Sequence, residues 1–117
     1  MNILLADDDR NFGIILKSEL AEEGYTVDLV NDGVEAVLNC IDRPYQLVLL
    51  DIMMPKLDGI NAMKIIKKLN PALPVIVFSG NVGQVEMEEA AKAGAQQCFS
   101  KPFEISDLKN CIKQSLN

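Results

Sequence analysis

One stretch of the chain, residues 47–55, reads Leu47-Val48-Leu49-Leu50-Asp51-Ile52-Met53-Met54-Pro55. Its four consecutive large apolar residues predict a strand that is buried on both faces, as in parallel sheets, and the strand ends in a single carboxylate. Burying an unpaired ionised carboxylate is costly. We therefore expect Asp51 to face a cleft or a cation at the carboxyl end of its strand, which is the edge where open α/β sheets bind ligands.

Strand-like and helix-like segments alternate five times along the chain. The predicted strands are residues 2–6, 25–30, 47–50, 75–78 and 96–99. The alternation predicts an α/β fold, in which a doubly wound, five-stranded parallel sheet carries five helices on both faces through right-handed crossovers. The strand order 2-1-3-4-5 is one of two common solutions for this pattern, and the first and third strands, as the most apolar, are expected to be central.

Each helical segment has a predicted apolar face. In chain order these faces are Phe12, Ile15, Leu16 and Leu20; Val34, Val37, Leu38 and Ile41; Ala62, Ile65, Ile66 and Leu69; Val85, Met87, Ala90 and Ala91; and Leu108, Cys111, Ile112 and Leu116. The fourth face, within residues 85–93, is the weakest, and this helix is therefore the segment most expected to move.

The composition restricts the possible functions. The 117 residues suffice for one domain, residues 1–117, and contain no apolar run close to the ~20 residues of a membrane span. The net charge of -6 disfavours a nucleic-acid surface, and the chain has no histidine for zinc binding or acid-base chemistry. The N-terminus lacks the features of a signal peptide, so the predicted compartment is the cytoplasm. The three cysteines, Cys40, Cys98 and Cys111, are predicted to be buried reduced thiols.

Polar side chains follow four of the predicted strands directly. They are Asp7, Asp8 and Asp9 after the first strand, Asp51 after the third, Ser79 after the fourth and Lys101 after the fifth. The carboxyl ends of parallel strands share one edge, so these side chains are expected to line one cleft. Crowded carboxylates repel one another unless a divalent cation neutralises them, and oxygen ligands without histidine or cysteine favour magnesium (Mg2+).

This set of groups suits phosphoryl transfer, which depends on positioning and on neutralising the charge of the phosphoryl oxygens. Asp51 is the candidate nucleophile because its strand would place it between the acidic cluster and Lys101. The product would be an aspartyl phosphate, a hydrolysable anhydride that acts as a timed switch. Each residue alone has a simpler interpretation, since an aspartate after the first strand can cap a helix, Ser79 can form a turn and Lys101 can lie on the surface.

With these residues in this order, the chain resembles the response regulator receiver domain of two-component signalling, in its single-domain, chemotaxis-regulator-like form. The matching segments are residues 3–9, 47–55, Asp58-Gly59, residues 75–80, Gly94-Ala95 and Lys101-Pro102-Phe103. Each is common by itself, whereas their joint order and spacing are specific. The resemblance covers the chain from Ile3 to about Leu116 and implies the flavodoxin-like order 2-1-3-4-5 and a cis Lys101-Pro102 bond.

The resemblance also implies a chemistry. Asp51 would take a phosphoryl group from a phosphohistidine on a sensor histidine kinase or a histidine phosphotransfer protein. The implied magnesium ligands are Asp8, Asp51 and the Met53 backbone carbonyl, with Asp7 acting through water. Ser79 and Lys101 would hold phosphoryl oxygens.

The resemblance further implies a partner-binding face on the fourth helix, fifth strand and fifth helix, which would change on phosphorylation and bind a downstream protein. The domain would be a monomer or a phosphorylation-dependent dimer, without direct contact with nucleic acid or membrane. One position departs from the family, because Cys98 stands where an aromatic switch residue is usual. Strand alternation predicts that the adjacent Phe99 points to the opposite face. Met53 and Asn81 are expected to flank the phosphoryl group.

Other functions compete with a phosphorylation-controlled binding module that turns over no external substrate. A pseudo-receiver that binds partners without phosphorylation is disfavoured, because Asp51, Ser79, Lys101 and the acidic pair are all intact. A haloacid-dehalogenase-like phosphatase needs a second aspartate two residues after Asp51, where Met53 stands. A flavin electron carrier is disfavoured because three acids after the first strand would repel the flavin phosphate.

Overall fold

A computed structural model of the chain describes residues 1–80 and 83–116. Strands and helices alternate through this part of the chain. The strands are β1 (Asn2–Ala6), β2 (Thr26–Val30), β3 (Leu47–Asp51), β4 (Val75–Ser79) and β5 (Gln97–Ser100). The helices are α1 (Arg10–Glu22), α2 (Gly33–Asp42), α3 (Gly59–Leu69), α4 (Gln84–Lys92) and α5 (Ile105–Leu116). The predicted succession of elements is confirmed.

The strands form one parallel sheet in the order β2-β1-β3-β4-β5. This confirms the predicted order and the central place of β3 and β1. All five residues of β3 are buried, which explains its uninterrupted apolar sequence, because both faces of a central parallel strand are covered. All five residues of β4 are buried as well. The polar residues at the carboxyl ends of these two strands, Asp51 and Ser79, are therefore buried as well.

Helices cover both faces of the sheet, as predicted. One apolar core contains Val48 and Leu50 of β3 and is covered by buried residues of α2, α3 and α4. The other contains Leu47 and Leu49 and is covered by buried residues of α1 and α5. Alternate residues of β3 thus point into different cores, as the pleat of a strand requires.

The helices bury narrower faces than the sequence predicts. The predicted core residues that are exposed are Ile15, Val34, Leu38, Ile41, Ile65, Leu69 and Val85, each with at least 40% of its surface accessible, and Ala91. The most apolar helix, α2, packs through Val37, as predicted, and through Ala36 and Cys40, which were not predicted. The reason is geometric: apolar residues cover much of this helix's circumference, and a flat sheet contacts one stripe of it.

The weakness predicted for α4 is borne out by its packing. Ala90 is the only residue of α4 that is fully buried, and Val85 is 73% exposed. The N-cap position is Gly83, which has no side chain to accept a hydrogen bond from the first turn. Whether α4 moves stays a prediction.

Aspartates cap three of the other helices. The side chains of Asp9, Asp32 and Asp58 accept hydrogen bonds from the backbone amides of Phe12, Glu35 and Asn61, respectively. The capping interpretation is therefore correct for Asp9, the third carboxylate after β1. Asp32 and Asp58 are the N-cap residues with which the turns at Asp32-Gly33 and Asp58-Gly59 begin α2 and α3.

The cysteines differ from the prediction in their burial. Cys40, Cys98 and Cys111 are free thiols, as expected, but each is only partly buried. Burial nevertheless raises the pKa of Cys40 to about 11 and raises the pKa values of Cys98 and Cys111. These side chains are therefore protonated thiols at neutral pH. Among the described residues, no helix has the length and apolar character that a membrane span requires.

Candidate functional site

The carboxyl edge of the sheet gathers the polar residues that follow the strands. Asp51 ends β3 opposite Phe78 of β4, and Ser79 ends β4 opposite Ser100 of β5. Asp7 follows β1, and Lys101 follows β5. The sheet order places β1, β3 and β4 side by side, so these residues from distant parts of the chain share one cleft, as predicted.

Asp51 is held inside this cleft from both of its oxygens. Only 5% of its surface is exposed. Its Oδ1 accepts a hydrogen bond of 3.0 Å from the backbone amide of Met53, and its Oδ2 accepts one of 3.3 Å from Lys101 Nζ. The strand end and the turn after it therefore fix the carboxylate while leaving it beside two other acidic residues.

Those neighbours are Asp7 and Asp8. Asp7, Asp8 and Asp51 each offer a carboxylate oxygen, and these oxygens lie within 4.8 Å of one another. Asp7 is fully buried, and both of its oxygens are engaged, one by the Asp9 amide at 2.9 Å and one by Lys101 Nζ at 3.0 Å. Asp8 is exposed. The donor set is all oxygen and open to water on the Asp8 side, which fits magnesium with part of its hydration shell.

Lys101 is the cation of the cleft. Its Nζ donates to Asp7 Oδ2 and Asp51 Oδ2, and 20% of its side chain is exposed. Burial alone would lower the pKa of this ammonium. The hydrogen bond to Asp7 and the charges of both carboxylates outweigh burial and raise it. Lys101 therefore stays charged throughout the neutral range, and its bond to Pro102 is cis, as the resemblance implies.

Ser79 is the last residue of β4 and lies at the same edge of the sheet. It is 2% exposed, and its Oγ has no hydrogen-bond partner among the described residues. A buried hydroxyl normally has a partner, because leaving one unsatisfied costs about 1–3 kcal/mol. The hydroxyl is thus available to a group that enters the cleft.

Two aromatic residues of the site were not predicted as site residues from the sequence. Lys101 Nζ lies 4.3 Å from the ring centroid of Phe12 in α1 and 5.1 Å from the ring centroid of Phe78 in β4. Phe12 falls on the predicted apolar face of its helix and Phe78 in a buried strand, and nothing in those patterns relates either of them to Lys101. The signal is present only in the folded chain.

Beside the cleft, Met53 is 59% exposed. Asn81 lies outside the described residues. Cys98 belongs to the core under α2, α3 and α4, and its Sγ lies 4.0 Å from the Met87 backbone oxygen of α4. Phe99 packs in the opposite core, as strand alternation predicts. The aromatic side chain of β5 therefore lies on the opposite side of the sheet from α4.

The acidity of Asp51 leads to a prediction for the protein without magnesium. Burial, with a contribution from the charge of Asp7, raises the pKa of Asp51 to about 6, against the opposing effects of the Met53 amide and Lys101. Between about pH 4 and pH 6 the folded state therefore carries more bound protons at Asp51 than the unfolded state does. The contribution of Asp51 to the free energy of unfolding falls as the pH rises through this window. Asp51→Asn should therefore unfold with a free energy about 1–3 kcal/mol higher than the native chain near pH 7.5 in EDTA.

The measurement is urea unfolding of both chains in EDTA between pH 5 and 8. The advantage of Asp51→Asn should shrink towards pH 5. Asp42→Asn, which replaces an exposed carboxylate at the end of α2, is the matched control and should leave the pH profile unchanged. An Asp51→Asn chain that is less stable than the native chain at every pH would contradict the prediction.

Comparison with known proteins assigns the chain to a family. A family model described as the response regulator receiver domain matches residues 3–113. The chain belongs to this family. The flavodoxin-like topology, the acidic pocket and the resemblance drawn from the sequence agree with this assignment, and the chain is a receiver domain of the kind found in two-component response regulators.

Relatives of this receiver domain include longer regulatory proteins. It is 36% identical to the transcriptional regulatory protein ZraR of Escherichia coli O157:H7 over 116 residues, which are 99% of the chain and 26% of ZraR. It is 39% identical to the response regulator MprA of Mycobacterium leprae over 117 residues, which are 99% of the chain and 51% of MprA. The chain thus spans about a quarter to a half of the length of these relatives.

Solved receiver structures match the whole fold. The receiver domain of the Francisella response regulator 1452 superposes with a TM-score of 0.91 at 32% identity, covering 98% of this chain and 95% of that one. The receiver domain of the sensor histidine kinase PA1611 from Pseudomonas aeruginosa PAO1 superposes with a TM-score of 0.90 at 29% identity, covering 98% and 96%. That structure has a magnesium ion coordinated in its active-site cleft. A solved receiver domain with the same fold thus binds magnesium in its active-site cleft.

Proposed function

We propose that this receiver domain is a phosphorylation-controlled switch whose phosphoacceptor is Asp51. The observation that carries the proposal is the environment of this carboxylate, which is buried, bonded to Lys101 and close to the carboxylates of Asp7 and Asp8. At the same edge of the sheet, Ser79 has a buried hydroxyl without a hydrogen-bond partner among the described residues. A nucleophilic carboxylate, a cation and a hydrogen-bond donor in one cleft suit phosphoryl transfer, which depends on positioning and on neutralising charge.

The donor would be a phosphohistidine on a sensor histidine kinase or a histidine phosphotransfer protein. An oxygen of Asp51 forms the new bond to phosphorus while the bond from phosphorus to the donor nitrogen breaks, and the electron pair returns to the imidazole. Lys101 donates to the phosphoryl oxygens as its contact with Asp51 is given up. The buried Ser79 hydroxyl donates to another of these oxygens, which supplies a partner that it lacks among the described residues.

Magnesium would be held by Asp8, Asp51 and the Met53 backbone carbonyl. Asp7 would act through water, which is consistent with the engagement of both its oxygens inside the protein. When bound, magnesium neutralises charge on the phosphoryl oxygens. The protein's own contribution is to hold the carboxylates close together although they repel one another.

The output would be a change in the face formed by α4, β5 and α5, read by a downstream protein, with the domain a monomer or a phosphorylation-dependent dimer. The domain itself would bind neither nucleic acid nor membrane and would act in the cytoplasm, as part of a regulator or alone. It would catalyse its own phosphotransfer and dephosphorylation, without turning over an external substrate. The pseudo-receiver alternative loses its basis if Asp51 is phosphorylated.

Incubation with acetyl phosphate tests the proposal. We expect the intact mass of the native chain to increase by one phosphoryl group with magnesium and to stay unchanged with EDTA, because the carboxylates repel the incoming anion without a cation. Treatment with hydroxylamine should remove the group, since an acyl phosphate is sensitive to this nucleophile. An unchanged mass with magnesium, for acetyl phosphate and for a phosphorylated histidine kinase domain alike, would favour the pseudo-receiver.

A further inference from the structure

All four phenylalanines of the chain lie in one cluster beside the site. Phe12, Phe78 and Phe103 contact one another with ring centroids 5.8–6.0 Å apart, and Phe99 contacts Phe103 at 5.4 Å. The cluster belongs to the core under α1 and α5. The four phenylalanines therefore lie on the side of the sheet opposite Cys98 and α4.

Two of these rings form a floor beneath the ammonium of Lys101. The Phe12 centroid is 4.3 Å and the Phe78 centroid 5.1 Å from Nζ, both within the range of a cation–π interaction. Asp7 and Asp51 contact the same nitrogen at 3.0 and 3.3 Å. The ammonium is thus in contact with aromatic rings and with carboxylates at once.

The chemistry of these contacts directs the donors of Lys101. An ammonium has three N–H donors and no acceptor. An aromatic ring attracts the charge through its electron-rich face and offers no oxygen to accept a conventional hydrogen bond. The rings therefore cover one side of the ammonium without offering it an acceptor, and its donors are directed towards the carboxylates and then towards an incoming phosphoryl oxygen.

We propose that Phe12, supported by Phe78, is a positioning residue for Lys101 in phosphoryl transfer. The inference rests on the proposed function, because it assigns to Phe12 a part in the same reaction. Phe12 touches no reacting atom and acts through Lys101. Loss of its ring lets the flexible lysine side chain take up other positions and exposes the ammonium to water.

Three variants separate the aromatic floor from general packing. Phe12→Leu keeps an apolar side chain but removes the ring. Phe12→Tyr keeps the ring and is the conservative rescue, since Phe12 is only partly buried. Phe99→Leu removes another ring of the cluster, one that contacts Phe103. Among the described residues, the rings found near Lys101 Nζ are those of Phe12 and Phe78 and not that of Phe99. Urea unfolding establishes that each variant is folded.

The first measurement is the rate of phosphoryl gain from acetyl phosphate with magnesium. We expect Phe12→Leu to be slower than the native chain by roughly 3- to 10-fold, the range of one cation–π contact. Phe12→Tyr and Phe99→Leu should each remain within about 2-fold of the native rate, because both keep the rings beneath Nζ. A Phe12→Leu rate equal to the native rate, or an equal slowing by Phe99→Leu, would overturn the inference.

The second measurement locates the ammonium without any reaction. Protons next to the charge of Lys101 lie over the ring face and should be shifted upfield in the NMR spectrum of the lysine-labelled chain, with Lys101→Arg identifying the signal. The shift should persist in Phe12→Tyr and decrease in Phe12→Leu. An unchanged shift in Phe12→Leu would overturn the positioning role. If the native chain gains no phosphoryl group, the proposed function fails together with the kinetic role of Phe12. The NMR signal still shows in that case whether Phe12 holds the Lys101 ammonium in place.

Discussion

Asp51→Asn should abolish the magnesium-dependent gain of a phosphoryl group from acetyl phosphate. The amide nitrogen and oxygen of asparagine preserve the size of the side chain, but they lack the anionic oxygen that must form the bond to phosphorus. The change also removes one of the three carboxylates whose oxygens lie within 4.8 Å of one another. We expect no increase in intact mass under conditions in which the native chain is fully converted.

Two further readings make the result specific. Asp42→Asn, at the far end of α2 from the site, should be phosphorylated like the native chain. Asp51→Asn should at the same time be more stable than the native chain in EDTA, because a raised pKa marks a carboxylate whose ionised form is unfavourable in the fold. Loss of phosphorylation by a more stable protein cannot be attributed to unfolding. A phosphoryl group on Asp51→Asn would place the acceptor at another carboxylate.

Gly59→Ala should destabilise the protein by about 3 kcal/mol or more, although helix propensity alone predicts a gain of about 1 kcal/mol. Gly59 is the first residue of α3. A Cβ there would stand 2.1 Å from the Asp51 carbonyl oxygen and 2.8 Å from Ile52 Cα, both backbone atoms that cannot rotate away. The Gly59 amide also donates to the Ile52 carbonyl at 2.8 Å. The backbone after β3 would have to move.

That backbone carries Asp51, the proposed phosphoacceptor, so Gly59→Ala should also slow phosphorylation of whatever fraction remains folded. Urea unfolding and intact mass give the two readings. Gly80→Ala is the matched control, because the nearest atom to its Cβ would be Lys101 Cδ at 4.0 Å, an ordinary contact. If Gly59→Ala and Gly80→Ala had the same unfolding free energy, the close approach of α3 to β3 would not have the importance that we assign to it.

Much of the fold follows from patterns that are local in the sequence. An unbroken run of apolar residues predicts a buried strand such as β3. The alternation of strands with helices restricts the sheet to a few topologies. The site residues could be predicted for the same reason, since Asp51 and Ser79 end their strands and parallel strands end at one edge. The strand order itself required the resemblance to a family, because alternation permits more than one order.

The exposed faces of the helices could not be predicted in the same way. Val34, Leu38 and Ile41 repeat at helical spacing in α2, yet all three are exposed, while Ala36 is fully buried. Periodicity identifies a helix and a range of apolar directions. The direction that meets the sheet depends on how the whole helix docks against its neighbours.

By itself, the sequence determined the order of the elements, the parallel sheet, the family and the carboxylates, hydroxyl and lysine at the sheet edge, because each of these is written in residue spacing along one segment. The tertiary structure alone decided that Lys101 bonds Asp7, which lies 94 residues away, that its ammonium rests on Phe12, and that Gly59 must lack a side chain. The physical reason is that these contacts join segments whose distance and orientation are fixed only when both cores are packed.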